Sequence, residues 1–88
     1  MQFIRDQDVR LTALEGEGVV LHLHERKYFS VNETGLLLLE ELQEPRTMEE
    51  LIGALEGTYE VSREQATLAA QAFLDRCLAV KVVLPVAA

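Results

Sequence analysis

Apolar and polar positions alternate in three stretches near the N-terminus, and each alternation predicts a half-buried strand. The first is Asp8-Val9-Arg10-Leu11-Thr12-Ala13, with Val9, Leu11 and Ala13 on the inner face. Glu15-Gly16-Glu17-Gly18 interrupts the pattern as a hairpin turn. The second strand is Val19 to His24, with Val19, Leu21 and Leu23 on one face and His22 and His24 on the other. A polar turn at His24 to Lys27 leads to the third strand, Lys27 to Val31. There Phe29 and Val31 should point to the core and Tyr28 and Ser30 away from it. The expected result is a three-stranded antiparallel meander.

At Asn32 the period changes from two to that of a helix. The short polar side chain of Asn32 is a helix cap, and Glu33 places a negative charge in the first turn. Helix one is expected from about Glu33 to Gln43, ended by Pro45. Leu36 to Leu39 and Leu42 make it apolar on more than one side, so it should pack on two sides. Thr47-Met48-Glu49-Glu50 is a capping box and opens helix two, Met48 to Leu55, with Gly57 as its stop. Thr58 to Val61 reads as an extended link with two apolar residues tucked against the helices. Ser62 to Gln65 is a second capping box. Helix three is expected over 63–78, with Ala66, Ala69, Ala70, Phe73, Cys77 and Leu78 as its core stripe and Leu68, Ala72, Asp75 and Arg76 as a flank. Val80 to Leu84 reads as a terminal strand stopped by Pro85. The fold class is α+β, winged-helix-like, a three-stranded antiparallel sheet followed by three helices. Residues 1–88 form a single domain with a core over about 8–84.

Composition narrows the function. Fifteen acids against eight bases give a net charge of −7. That balance disfavours a nucleic-acid partner, whose phosphates are neutralised by Lys and Arg, and an anionic membrane surface for the same reason. A winged-helix regulator would need a basic recognition helix, and in helix three Arg63, Gln65, Gln71 and Arg76 are offset by Glu64 and Asp75. The lone Cys77 fits a reducing cytoplasm, and the N-terminus lacks the apolar stretch of a signal peptide. The expected location is cytoplasmic.

Catalytic and metal chemistry find little footing. His22 and His24 face one way on their strand, a spacing that can hold a metal, yet no motif supplies further ligands. Two solvated histidines on an outer sheet face are the expectation. Cys77, on the apolar stripe, reads as a small buried hydrophobe rather than a nucleophile. The acids Glu40, Glu41, Glu44, Glu49 and Glu50 read as a solvated surface. No enzyme, cofactor or metal is expected.

Tyr28-Phe29-Ser30-Val31-Asn32-Glu33-Thr34-Gly35 resembles the tyrosine–x–x–leucine–asparagine–glutamate segment of PqqD-like proteins. Arg46-Thr47-Met48-Glu49-Glu50-Leu51-Ile52 resembles the start of their next helix, and Tyr59, Val61 and Phe73-Leu74 continue the pattern over residues 9 to 80. That family includes the recognition elements of ribosomally made, post-translationally modified peptide (RiPP) pathways. The resemblance implies a protein that is not an enzyme: it binds the leader of a precursor peptide as a strand added to the third strand. A free-standing chain of this size looks most like the leader-binding proteins of lasso-peptide pathways. The partner it implies is a leader peptidase of the cysteine-protease type. A peptide chaperone in pyrroloquinoline quinone biosynthesis is the alternative. The expected leader-binding residues are Tyr28, Phe29, Ser30 and Val31 on the strand, Leu68, Gln71 and Ala72 on helix three, and Arg26, Lys27, Asp75 and Arg76 at a polar rim. An open strand edge offers N–H and C=O groups to an extended peptide without sequence preference, so selectivity must come from these pockets.

Overall fold

The computed structural model describes residues 1–86. Its elements run β1 (Gln2–Arg5), β2 (Val9–Leu14), β3 (Glu17–His22), β4 (Lys27–Asn32), α1 (Glu33–Glu41), β5 (Arg46–Thr47), α2 (Met48–Thr58), α3 (Arg63–Ala79) and β6 (Val83–Val86). The expected meander is the sheet β2-β3-β4, followed by three helices. A second antiparallel sheet, ordered β5-β1-β6, joins the two ends of the chain.

Register decides which face of the meander is inside. Val9 pairs with His22, Leu11 with Val20 and Ala13 with Gly18, while Val20 pairs with Phe29 and Gly18 with Val31. Directly opposed residues share a face, so Gly18, Val20 and His22 join the inner row with Val9, Phe29 and Val31. The reading of β3 from its own alternation is therefore corrected. Val20 and His22 are buried, whereas Leu21 and Leu23 are exposed and Val19 half-exposed. All three large aliphatics lie outward because the neighbouring strands impose the register. His24 lies beyond the strand in the exposed turn.

The helices begin where the caps predict. The Asn32 side chain accepts from the Gly35 N–H at 2.9 Å, and both capping boxes are closed at Thr47–Glu50 and Ser62–Gln65. Leu38, Leu39 and Leu42 are fully buried, which bears out a helix packed on two sides. At roughly 1.5–3 kcal/mol per buried leucine, α1 anchors the core. Arg5 of β1 donates from Nη1 to the Leu39 carbonyl at 3.1 Å, supplying the positive charge that the last turn of α1 lacks.

Several boundaries differ from expectation, β3 among them, which runs Glu17–His22 rather than Val19 to His24. Helix α1 ends at Glu41, two residues before the expected end. Helix α2 runs through Gly57 to Thr58, because Tyr59 caps it in an extended conformation with its N–H on the Leu55 carbonyl. Tyr59 is then half-buried but Val61 is exposed. Strand β6 starts at Val83 and includes Pro85, opposite Phe3. A residue without an N–H is tolerated there because β6 is an edge strand. Along α3, Leu74 is buried and Ala69 exposed, so the core stripe is rotated from the one expected.

Candidate functional site

The outer edge of β4 has no strand beside it among the described residues. Which of its backbone groups are free follows from the ladder. The Leu23 N–H donates to the Asp8 carbonyl at 3.0 Å, in register with the β2–β3 pairs. Antiparallel pairs alternate between bonded and unbonded, so Val19 and Leu21 bond across to β2. Gly18, Val20 and His22 bond the other way, to Val31, Phe29 and Lys27. The N–H and C=O groups of Tyr28 and Ser30 are thus left pointing out of the sheet.

Beside this edge runs a groove of about 430 Å³ between β4 and the C-terminal half of α3. Phe29, Ser30, Val31 and Asn32 form one wall, and Phe73, Arg76, Cys77 and Val80 the other. Val20, Leu39 and Val82 close its floor, so the floor is the core itself. The Arg76 guanidinium carbon sits 5.7 Å from the centre of the Phe73 ring, a cation–π distance that holds its charge over the rim. Phe73 also bounds α1: a β-carbon at Gly35 would come within 2.8 Å of its ring, so only glycine admits this approach. The glycine of the Asn32–Gly35 segment therefore has a packing reason.

Cys77 shares the groove wall but is not a nucleophile in waiting. Burial pushes its thiol up to about 11, and the neighbouring Arg76 offsets this only in part. No histidine lines the groove. Among the described residues there is no group of three His, Cys, Asp or Glu that could hold a metal ion. Nor, among the described residues, is any helix long and apolar enough to cross a membrane.

Of the residues singled out from sequence, Phe29, Ser30, Val31 and Arg76 are brought together in the groove. Tyr28 contributes edge backbone, while its side chain lies on the outer sheet face and is 75% exposed. Arg26, in the turn before β4, and Lys27, its first residue, are exposed beside the edge. The others lie elsewhere. Gln71 and Asp75 hydrogen bond to each other at 3.2 Å and line a separate depression with Phe3 and Met48. Leu68 is 65% exposed, pointing away from the core, and neither it nor Ala72 lines the groove. These positions lie on α3 faces whose direction depends on the rotation set by Leu74. Asn32, Phe73, Cys77 and Val80 were missing from the expected site because Asn32 read as a cap, Phe73 and Cys77 as core, and Val80 as the start of a terminal strand. The signal available was Arg76, three residues after an aromatic and hence on an adjoining face.

The same fold is found among solved structures. TbiB1 in complex with the TbiA(β) leader peptide matches with a TM-score of 0.83 at 24% identity, over 97% of this chain and 99% of that one. A lasso peptide synthetase B1 complexed with the leader peptide matches with a TM-score of 0.80 at 20% identity, over 97% and 100%. No curated protein matches the chain. The family described as coenzyme PQQ synthesis protein D (PqqD) matches residues 17–83, from β3 to the start of β6. With its meander, its three capped helices and more than half its length within that match, the chain belongs to the PqqD family.

Proposed function

We propose that this protein is a non-catalytic recognition element: it binds the leader of a ribosomally made precursor peptide as a strand added to β4 and delivers it to a leader peptidase. The observation that carries the reading is the free backbone of Tyr28 and Ser30 alongside an apolar groove. Each backbone bond to an added strand contributes roughly 0.5–1.5 kcal/mol net, so Tyr28 and Ser30 alone give weak affinity. Alternate side chains of the added strand turn inward, over Phe29, Val31, Phe73 and Val80. Apolar ones would there gain roughly 25 cal/mol per Å² removed from water. The two structural relatives were both solved with leader peptides, which supports this use of the fold. The lasso peptide synthetase B1 relative favours a lasso-peptide pathway as the form of the proposal. The receiving partner in that form is a leader peptidase of the cysteine-protease type, which the family resemblance implies.

The description of the matching family favours a second reading, a peptide chaperone in pyrroloquinoline quinone synthesis. Both readings use the same edge and groove and differ in the peptide held.

The test is selection of a displayed library of random 15-residue peptides on the purified chain, followed by amide exchange with a selected peptide bound. Binding should protect the Tyr28 and Ser30 amides, which are free in the unbound protein. Failure to select any peptide, or protection that leaves both amides unchanged, would overturn the proposal. Cleavage of the cognate precursor by its peptidase should in turn be faster with this chain present.

A further inference from the structure

Of the chain's eight bases, those that make neither an ion pair with a carboxylate nor a hydrogen bond to a backbone carbonyl lie around the groove. Arg46 pairs with Glu41, Glu44 and Glu50, and Arg63 with Glu49 and Glu56. Arg5 and Arg10 donate to backbone carbonyls. Among the described residues, Arg26, Lys27, Arg76 and Lys81 have neither kind of partner; Arg26 lies in the exposed turn before β4, and the other three border the groove.

Arg76 lines it. Lys27 opens β4, and strand alternation puts its side chain on the same sheet face as Phe29 and Val31. Lys81 lies between the groove residues Val80 and Val82. Its carbonyl is 3.1 Å from Nε2 of His22, and His22 is the ladder partner of Lys27. One hydrogen bond and one strand pair thus bring Lys27 and Lys81 to the same end of the groove. The α3 carbonyls there do not oppose an anion, since those of Leu78 and Cys77 are capped by the Lys81 and Val82 N–H groups. The opposite end holds Asn32, Phe73 and Gly35, with Glu17 and Glu33 next to it; its base is Arg76, over the Phe73 ring, so Lys27 and Lys81 define the positive end. Two acids lie near this end, Glu25 in the turn before Lys27 and Asp6, whose Oδ2 is 3.9 Å from Nε2 of His22; among the described residues neither pairs with any of the three cations.

From this gradient we infer that the bound peptide carries an Asp or Glu over the Lys27–Lys81 end and an apolar anchor over Phe73 and Val31. The inference rests on the strand-addition reading. Lys27 and Val31 are four residues apart, about 13 Å along a strand, so the acid and the anchor are four positions apart on one face of the peptide. The cations act chiefly on selection. Backbone pairing is indifferent to direction and to slippage by two residues, and like charge at one end penalises the wrong arrangements.

The same displayed library provides the test. Selected peptides should be enriched in Asp or Glu four positions from an apolar residue, and raising salt from low to high should weaken them. With Lys27→Glu, Arg76→Glu and Lys81→Glu combined, selection should turn to Lys or Arg at that position. The original peptides should lose affinity about tenfold or more, the order expected when several exposed pairs become repulsive. Circular dichroism checks the fold, and the Lys27→Glu, Arg76→Glu double variant serves if the triple does not fold. Peptides that bind at β4 with no acidic preference, or a folded variant whose preference is unchanged, overturn the inference while leaving strand addition standing. A library that yields no binder overturns both.

Discussion

The Nε2 atom of His22 lies 3.1 Å from the carbonyl oxygen of Lys81, across 59 positions of the chain. Its Nδ1 accepts the Glu25 backbone N–H at 3.3 Å, so the ring proton resides on Nε2 and is donated to Lys81. A single buried imidazole therefore ties the β3–β4 turn to the turn after α3, the two segments that flank one end of the groove.

Replacing it should loosen both turns. His22→Ala removes two hydrogen bonds and leaves a cavity at a site only 2% exposed. The expected loss is about 2–3 kcal/mol of unfolding free energy, read from urea denaturation. A loss under about 0.5 kcal/mol would show that the tie carries no load.

Proline scanning of β4 separates the two sides of the strand. Ser30→Pro removes an N–H that no strand among the described residues uses, so the domain should remain folded. Affinity for a selected peptide should fall about tenfold, equivalent to 1.4 kcal/mol. Phe29→Pro deletes the bond to Val20 in the middle of the ladder and should unfold the domain. Calorimetric titration with circular dichroism reads both. A folded Ser30→Pro variant with undiminished affinity would remove β4 as the docking edge.

Cys77 offers a probe of the groove wall. With its thiol pushed from 9.0 up to about 11, the thiolate fraction at pH 8 is about a hundredfold below that of an unperturbed thiol. Alkylation should be clearly slower than for an unperturbed exposed thiol, and slower still with peptide bound. The sign for stability follows. The neutral thiol is favoured by the fold below pH 9.0, and that contribution is lost as pH rises toward 11. Cys77→Ala should lower stability by about 1 kcal/mol and leave the fold intact. Rapid alkylation at pH 8 would place the thiol in solvent instead.

Lys81 follows α3 with φ at +63°, in the left-handed region, while Lys81 and Val82 N–H groups cap the Leu78 and Cys77 carbonyls. A side chain in that conformation costs roughly 1 kcal/mol relative to glycine. Lys81→Gly should raise stability by about that amount in thermal denaturation, while weakening any acidic peptide. An unchanged or lower midpoint would contradict the strain.

Glu50 closes the Thr47 capping box, and its hydrogen bond from the Thr47 N–H holds its carboxyl below the ordinary value of 4.5. A depressed folded value means the contribution is complete above pH 4.5 and is lost as pH falls further. Thermal midpoints measured downward from pH 6 should therefore drop less for Glu50→Gln, which keeps an acceptor but cannot titrate. Parallel curves for the two proteins would contradict this.

Local chemistry was legible along the chain wherever one residue acts on its neighbours. Asn32, Thr47 and Ser62 start their helices because a short side chain can reach an N–H three residues on, and that is written in adjacent positions. The same holds for the alternation of β4, whose inner residues Phe29 and Val31 and outer residues Tyr28 and Ser30 lie as their order implies. Family resemblance, carried by segments of this kind, pointed to the same edge and helix. What only tertiary structure decided were the facings. The alternation of β3 fits either face, and pairing with β2 and β4 put His22 inside and Leu21 outside. On α3 a nearly continuous run of small and apolar residues leaves the buried stripe undefined. Packing settled it at Ala66, Ala70, Phe73, Leu74 and Cys77, turning Leu68 into solvent and Gln71 and Asp75 away from the groove. The gathering of Lys27 and Lys81 at one groove end has the same origin, because contacts across 59 positions depend on how whole elements dock rather than on local spacing.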